Sequence, residues 1–138
     1  MSFTKQPCYI FDLDNTLVNM NGRSPYDNDL SGDTENIPAT FLFRNLNSDL
    51  DLIILSWRKE SSFLVPTKEW LADHDLHYDL IELNDTNPCL PGPLFKYQKL
   101  KELMIQYDIL WVFDDDQNVI DICKQLWIPS FHFSINTK

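Results

Sequence analysis

The chain has 138 residues and a mass of 16.3 kDa, room for one domain (1–138) and not for two independent cores. At 43% hydrophobic and 13% aromatic it can bury a core, which excludes wholesale disorder. Eleven basic residues against 21 acidic ones leave a net charge of −10; such a surface repels bare phosphate backbones and disfavours non-specific nucleic-acid binding.

In chain order, apolar runs alternate with helical patterns. Cys8–Phe11 is the first run, nearly continuous in apolar residues, as suits a strand buried on both faces of a parallel sheet. Asn19 to Asn36 is polar and rich in Asn and Asp, and reads as a loop. A helix is predicted over Pro38–Leu46, a strand over Leu52–Leu55, and a helix over Thr67–His74 with Thr67 as N-cap after Pro66. Tyr78–Leu83 is the third strand, and the Pro-rich stretch Asn84 to Pro93 is a second loop. Phe95–Tyr107 places Tyr97, Leu100, Met104 and Tyr107 on one helical stripe. Ile109–Phe113, a helix over Gln117–Trp127 and a strand over Ser130–Phe133 complete the chain. Alternation of this kind implies right-handed crossovers and an α/β sandwich. Neither loop is long enough for a large cap domain, so any site should be open.

No run approaches the about 20 apolar residues of a membrane span, and Met1 to Pro7 lacks the apolar middle of a secretory signal. The three cysteines, Cys8, Cys89 and Cys123, are scattered and odd in number. They read as reduced core thiols, and the expectation is a cytoplasmic protein. Trp70, Trp111 and Trp127 also read as core. His74, His77 and His132 read as surface or half-buried histidines, since no pair has metal-ligand spacing.

The acids are lopsided, 16 Asp against 5 Glu, and Asp prefers caps, turns and metal sites over helix interiors. Ligands of open α/β sheets bind beyond the carboxyl ends of the strands. The first strand ends in Asp12-Leu13-Asp14-Asn15-Thr16, the second in Ser56-Trp57-Arg58, the fourth in Asp114-Asp115-Asp116, and Lys96 stands in the first turn of the third helix. Singly, each has an ordinary reading: a turn or N-cap for Asp12 and Asp14, a solvated lysine, a capping cluster for Asp114 to Asp116. Jointly they place Asp12, Asp14, Asp114 and Asp115 in one crowd. Two such charges about 4 Å apart repel by roughly 4 kcal/mol at an effective dielectric of about 20, so the crowd calls for a cation. All-oxygen ligands select a hard ion, Mg²⁺ above Zn²⁺. Ser56, Arg58 and Lys96 complement it with a hydroxyl and two cations for phosphate oxygens. Trp57 either walls this site or covers the sheet edge. Metal plus anion clamp describes phosphoryl transfer. An ionised Asp can attack phosphorus directly, and a second carboxylate two residues on can serve as acid and then base.

These residues resemble the motifs of the haloacid dehalogenase superfamily of phosphotransferases. Asp12-Leu13-Asp14-Asn15-Thr16 resembles its first motif, Ser56 its second, Lys96 its third and Asp114-Asp115 its fourth. The resemblance implies a Rossmann-like sheet of about five parallel strands, the first central, with helices on both faces. It implies Asp12 as nucleophile and Mg²⁺ ligand, Asp14 as general acid/base that also offers its carbonyl to the metal, and the acidic pair as the rest of the metal site. Within it, the chain is most similar to the 3'-phosphatase domains of phage-type polynucleotide kinases. Gly22-Arg23-Ser24-Pro25-Tyr26-Asp27 is similar to their Arg-Gly-Pro-Tyr-Asp loop, and Ser56-Trp57-Arg58-Lys59-Glu60 to their Ser-Gly-Arg-Glu. That likeness adds Arg23 and Arg58 to Ser56 and Lys96 as the phosphate-binding set, in which Thr16 and Trp57 are also counted. It departs from the pattern in three places: no arginine from Glu82 to Pro93, Asp116 where Arg is usual, and Trp57 in place of Gly.

The expected function is a Mg²⁺-dependent phosphomonoesterase with an aspartyl-phosphate intermediate, acting on 3'-phosphate ends of nucleic acid or on nucleotides. A small-metabolite phosphatase and a non-catalytic binding protein are the alternatives. A kinase or ligase partner in a repair assembly would supply the grip on nucleic acid that this acidic chain lacks.

Overall fold

Every predicted apolar run becomes a strand. The structure, a computed structural model, describes residues 4–46 and 49–133; of the stretch read for a signal, residues 1–3 lie outside it. In order come β1 (Gln6–Phe11), β2 (Val18–Asn19), β3 (Thr34–Glu35), α1 (Ile37–Arg44), β4 (Asp51–Lys59), α2 (Glu60–Asp73), β5 (Leu80–Asn84), α3 (Gly92–Gln106), β6 (Tyr107–Asp114), α4 (Gln117–Gln125) and β7 (Ser130–His132). The main sheet runs β5-β4-β1-β6-β7, with every neighbouring pair parallel.

The pleat sorts the strand side chains onto two cores. Ile54 of β4 and Phe11 of β1 join Phe43, Phe63, Trp70 and Leu71 of α1 and α2. Ile53, Leu55, Cys8 and Ile10 turn the other way and join Phe95, Leu100, Val119 and Cys123 of α3 and α4. Helices therefore cover both faces, as expected for a Rossmann-like sheet. From β1 the chain steps to β4 and β5 on one side, then crosses to β6 and β7 on the other. The reversal leaves a crevice at the carboxyl end of β1, where such sheets bind ligands.

Several readings are corrected. The second helix opens at Glu60, straight from β4, and Thr67 lies buried within it instead of capping it. Pro66 sits inside α2. Lacking an N–H, it leaves the Ser62 carbonyl without its intrahelical donor, and Asn28 Nδ2 fills the vacancy at 2.8 Å. The α3 helix opens at Gly92, earlier than expected, with Pro93 pre-shaped for its first turn; it stops at Gln106 because Tyr107 already belongs to β6.

Trp70 is buried, but Trp111, beside the edge strand, is 37% exposed and Trp127 is 93% exposed. Trp127 follows the end of α4 at φ +60°. Its N–H donates to Lys124 O, and Ile128 N donates to Cys123 O, the two bonds of a Schellman turn. The turn throws the indole outward and buries Ile128 instead. Cys8 and Cys123 are buried core thiols, whereas Cys89 is exposed in the loop before α3.

The loop from Asn19 to Asn36 is a flap pinned at its base by the antiparallel β2–β3 ladder. Asn36 Nδ2 ties its far end to Thr16 O at 2.7 Å. No helix among the described residues is long and apolar enough to cross a membrane.

Candidate active site

The β1–β6 ladder runs one residue beyond Phe11, with Asp12 N donating to Phe113 O at 3.0 Å. Asp12 and Asp114 therefore leave the sheet side by side. The chain then turns tightly: Thr16 N and Val18 N both donate to Leu13 O. Asn15 takes the left-handed conformation this requires, φ +63°, which Asn tolerates better than most residues.

Asp12, Asp114 and Asp115 each offer a carboxylate oxygen, and these oxygens lie within 4.8 Å of one another. Lys96 Nζ reaches in from α3, donating to Asp12 Oδ1 at 2.9 Å and to Asp114 Oδ2 at 2.6 Å. Thr16 Oγ1 donates to Asp12 Oδ2 at 3.3 Å. Asp12, Thr16, Lys96 and Asp114 are all buried. Burial and the neighbouring Asp114 push the Asp12 carboxyl well above the usual range. Burial, then Asp114, raises Asp115 as well. Burial works against the Lys96 ammonium, but Asp114 and Asp12 outweigh it and hold its pKa above an ordinary lysine's. One ammonium against three carboxylates leaves negative charge uncompensated. An all-oxygen donor set short of positive charge fits Mg²⁺, which binds through one or two carboxylates, water and substrate phosphate.

The capping reading of the acidic run holds for one member only. Asp116 Oδ1 accepts from Asn118 N at 2.9 Å and caps α4. Its own N–H donates to Asp114 Oδ1 at 3.0 Å, which orients Asp114.

Asp14 stands apart, in a cradle of guanidinium groups. Arg58 Nε donates to its Oδ2 at 3.1 Å and Arg58 Nη2 to its Oδ1 at 2.6 Å. Arg23 Nη2 reaches the same Oδ1 at 3.1 Å. Arg58 is 2% exposed, and its remaining fork nitrogen donates to Thr67 Oγ1 at 2.9 Å. Arg23 is fixed by a bidentate pair with Asp33, at 2.9 and 3.1 Å. The buried Asp33 and Thr67 were missed by sequence reasoning. Thr67 resembled a cap, and a buried Asp in an Asp-rich polar loop leaves no signal.

A cavity of about 500 Å³ opens onto this centre. Asp12, Asp14, Asp114, Asp115 and Lys96 line it together with Met20, Pro25, Trp57 and Gly92. Trp57 therefore walls the site. Thr16, Ser56, Arg23 and Arg58 are not among the lining residues. Ser56 is buried behind the wall, its Oγ accepting from Arg58 N at 3.2 Å.

The family model described as the polynucleotide kinase PNKP phosphatase domain matches residues 6–136. The chain belongs to that family. Two solved structures agree with the assignment. One, "Structure of the Pnkp1/Rnl/Hen1 RNA repair complex", superposes with a TM-score of 0.87 at 28% identity, over 97% of this chain and 44% of that one. The other, "Structure of Pnkp1/Rnl/Hen1 complex", gives 0.83 at 31% identity, over 94% of this chain and 47% of that one. The chain thus spans less than half the length of either. No curated protein matches it. The PNKP phosphatase family carries the haloacid dehalogenase fold expected from the sequence.

Proposed function

We propose that residues 1–138 form one phosphatase domain that removes terminal 3'-phosphates from nucleic acid with Mg²⁺, through a phosphoryl group carried on Asp12. The observation that carries this is the meeting of Asp12, Asp114 and Asp115 oxygens within 4.8 Å, beside a lysine shared by two of them. Asp12, Asp114 and Asp115 would hold Mg²⁺, together with the Asp14 carbonyl. When bound, the ion supplies positive charge for the carboxylates and the phosphoryl oxygens.

The chain's own groups do the rest. An Asp12 carboxylate oxygen attacks phosphorus, and the O–P bond to the substrate breaks with its electron pair on the leaving oxygen. Asp14 gives that oxygen a proton. Water then attacks phosphorus, the Asp12 O–P bond breaks with its electron pair on the Asp12 oxygen, inorganic phosphate leaves, and Asp14 takes the water's proton. A carboxylate has about four acceptor positions; the arginines fill three, leaving one lone pair on Oδ2 for that proton. An ammonium has three donors; Lys96 spends two on Asp12 and Asp114 and keeps the third for a phosphoryl oxygen. Thr16 fixes the rotamer of Asp12, and Ser56 keeps its O–H as a donor. Arg23 and Arg58 act as positioning residues for Asp14.

The likeness to chains of RNA repair complexes supports a nucleic-acid end as substrate, and a kinase or ligase partner for this domain. The test is a panel of 3'-phosphorylated DNA and RNA oligomers, nucleoside monophosphates and sugar phosphates, with and without Mg²⁺. Release from the 3' ends that needs Mg²⁺ and vanishes in Asp12→Asn is the expected result. Turnover confined to sugar phosphates would overturn the substrate assignment.

A further inference from the structure

The cavity is lined by two unlike sets of groups. Five acids and a single lysine are one set, and that lysine is already shared between Asp12 and Asp114. A polyanion finds no spare cation here beyond the groups that hold the reacting phosphate. The other set is apolar, and its largest member is Trp57. The β4 pleat turns Trp57 away from Ser56 and Arg58, toward α3. There the indole lies flush on the first residue of the helix: a Cβ at Gly92 would stand 3.2 Å from Trp57 Cβ and 3.3 Å from Cγ. Tyr26, on the flap, meets the indole edge to face at 6.1 Å between centroids, and is itself 83% exposed. An exposed tyrosine thus props, edge to face, a half-buried tryptophan that lines the cavity.

We propose that Trp57, braced by Tyr26 and seated on Gly92, is a stacking platform for the nucleobase of the nucleotide bearing the scissile phosphate. This rests on the phosphatase reading above and makes Trp57 a specificity-determining residue for it. A ring stacked there shares the cavity with Asp12, so the phosphate and the base of one nucleotide engage it together. A sugar phosphate without a base has nothing to offer the indole. Stacking of this kind is indifferent to base identity, because every base has a π-face.

The test compares two oligonucleotides, one ending in an ordinary 3'-phosphorylated nucleotide and the other in a 3'-phosphorylated abasic sugar. Wild-type protein with Mg²⁺ is expected to show a KM about ten- to a hundredfold lower for the base-bearing end, at similar kcat. Trp57→Ala is expected to erase that preference, Trp57→Phe to keep most of it, and Tyr26→Ala to weaken it. Equal KM values for the two ends in the wild type would overturn the platform and leave the phosphatase reading standing. No release from any 3' end would overturn that reading and the platform with it. The wild-type comparison decides the matter whether or not Trp57→Ala folds well.

Discussion

Arg58 holds both oxygens of Asp14, through Nε at 3.1 Å and Nη2 at 2.6 Å, and does so from a fully enclosed position at the end of β4. A buried pair broken on one side leaves an uncompensated charge, at a cost of about 3 kcal/mol or more. Arg58→Ala should lose about that much in denaturant melts, and Asp14→Asn a comparable amount. Arg58→Lys keeps the charge but not the planar fork, so it should recover part of the stability and little of the activity. Equal losses for Lys and Ala would show that fork geometry contributes nothing.

Metal binding should be visible without any substrate. Asp12 sits above its ordinary 3.8 because of burial and then Asp114, so the metal-free fold holds this proton more tightly than the unfolded chain does. That contribution to stability is complete below about pH 4 and drains as pH rises. Mg²⁺ replaces the missing positive charge. Its stabilisation should therefore grow as pH rises above about 4, reaching about 2.7 kcal/mol at a hundred times Kd. Thermal melts across that range, with Asp114→Asn as the control that loses the gain, check it.

The thiols should separate cleanly. Burial, then Asp51 and Asp108, pushes Cys8 up to about 12; burial, then Asp114, pushes Cys123 up to about 11. Cys89 is exposed. A pulse of alkylating agent at neutral pH should label Cys89 alone, since the thiolate is the nucleophile. The raised values also mean that both buried thiols support the fold below their ordinary 9.0 and withdraw that support as pH climbs toward 11 and 12. Mass spectrometry of labelled peptides, before and after unfolding, reads the first point.

Trp127 occupies a left-handed position that favours glycine. Trp127→Gly should stabilise the protein by about 1 kcal/mol, by relieving that conformation. Trp127→Ala keeps the Cβ and should gain little. A calorimetric scan of the two variants distinguishes relief of strain from loss of an exposed indole.

Substrate affinity should depend weakly on salt. Lys96 is the one cation among the described lining residues, so at most about one phosphate is neutralised and the slope of log KM against log salt should not exceed about 0.7 for a single strand. A steep slope would require a basic surface outside the described cavity.

Much of this site could be read from the sequence because its residues fall at the ends of apolar runs. A strand buried on both faces needs continuous Val, Ile, Leu and Phe, so the polar residue that ends it, Asp12 or Asp114, stands out. Lys96 was legible by its place after the Pro-rich loop. What the string could not give is direction. Arg23 and Arg58 read as phosphate ligands, yet their forks close on Asp14, a choice set by the flap packing against β4. Pro66 read as the residue before a helix cap, because the donor that repairs the helix, Asn28, lies far away in sequence. Trp111 and Trp127 read as core because size and hydrophobicity say nothing of which turn or sheet edge carries them.

That repair has a wider effect. Asn28 belongs to the same flap as Arg23, and it holds α2 by the very carbonyl that Pro66 sets free. A helix with alanine at that position would close on its own acceptor and let go of the flap. A residue known for interrupting helices thus serves as a mooring point, and the steadiness of Asp14 is set in part by an imperfection on the far side of the loop that shelters it.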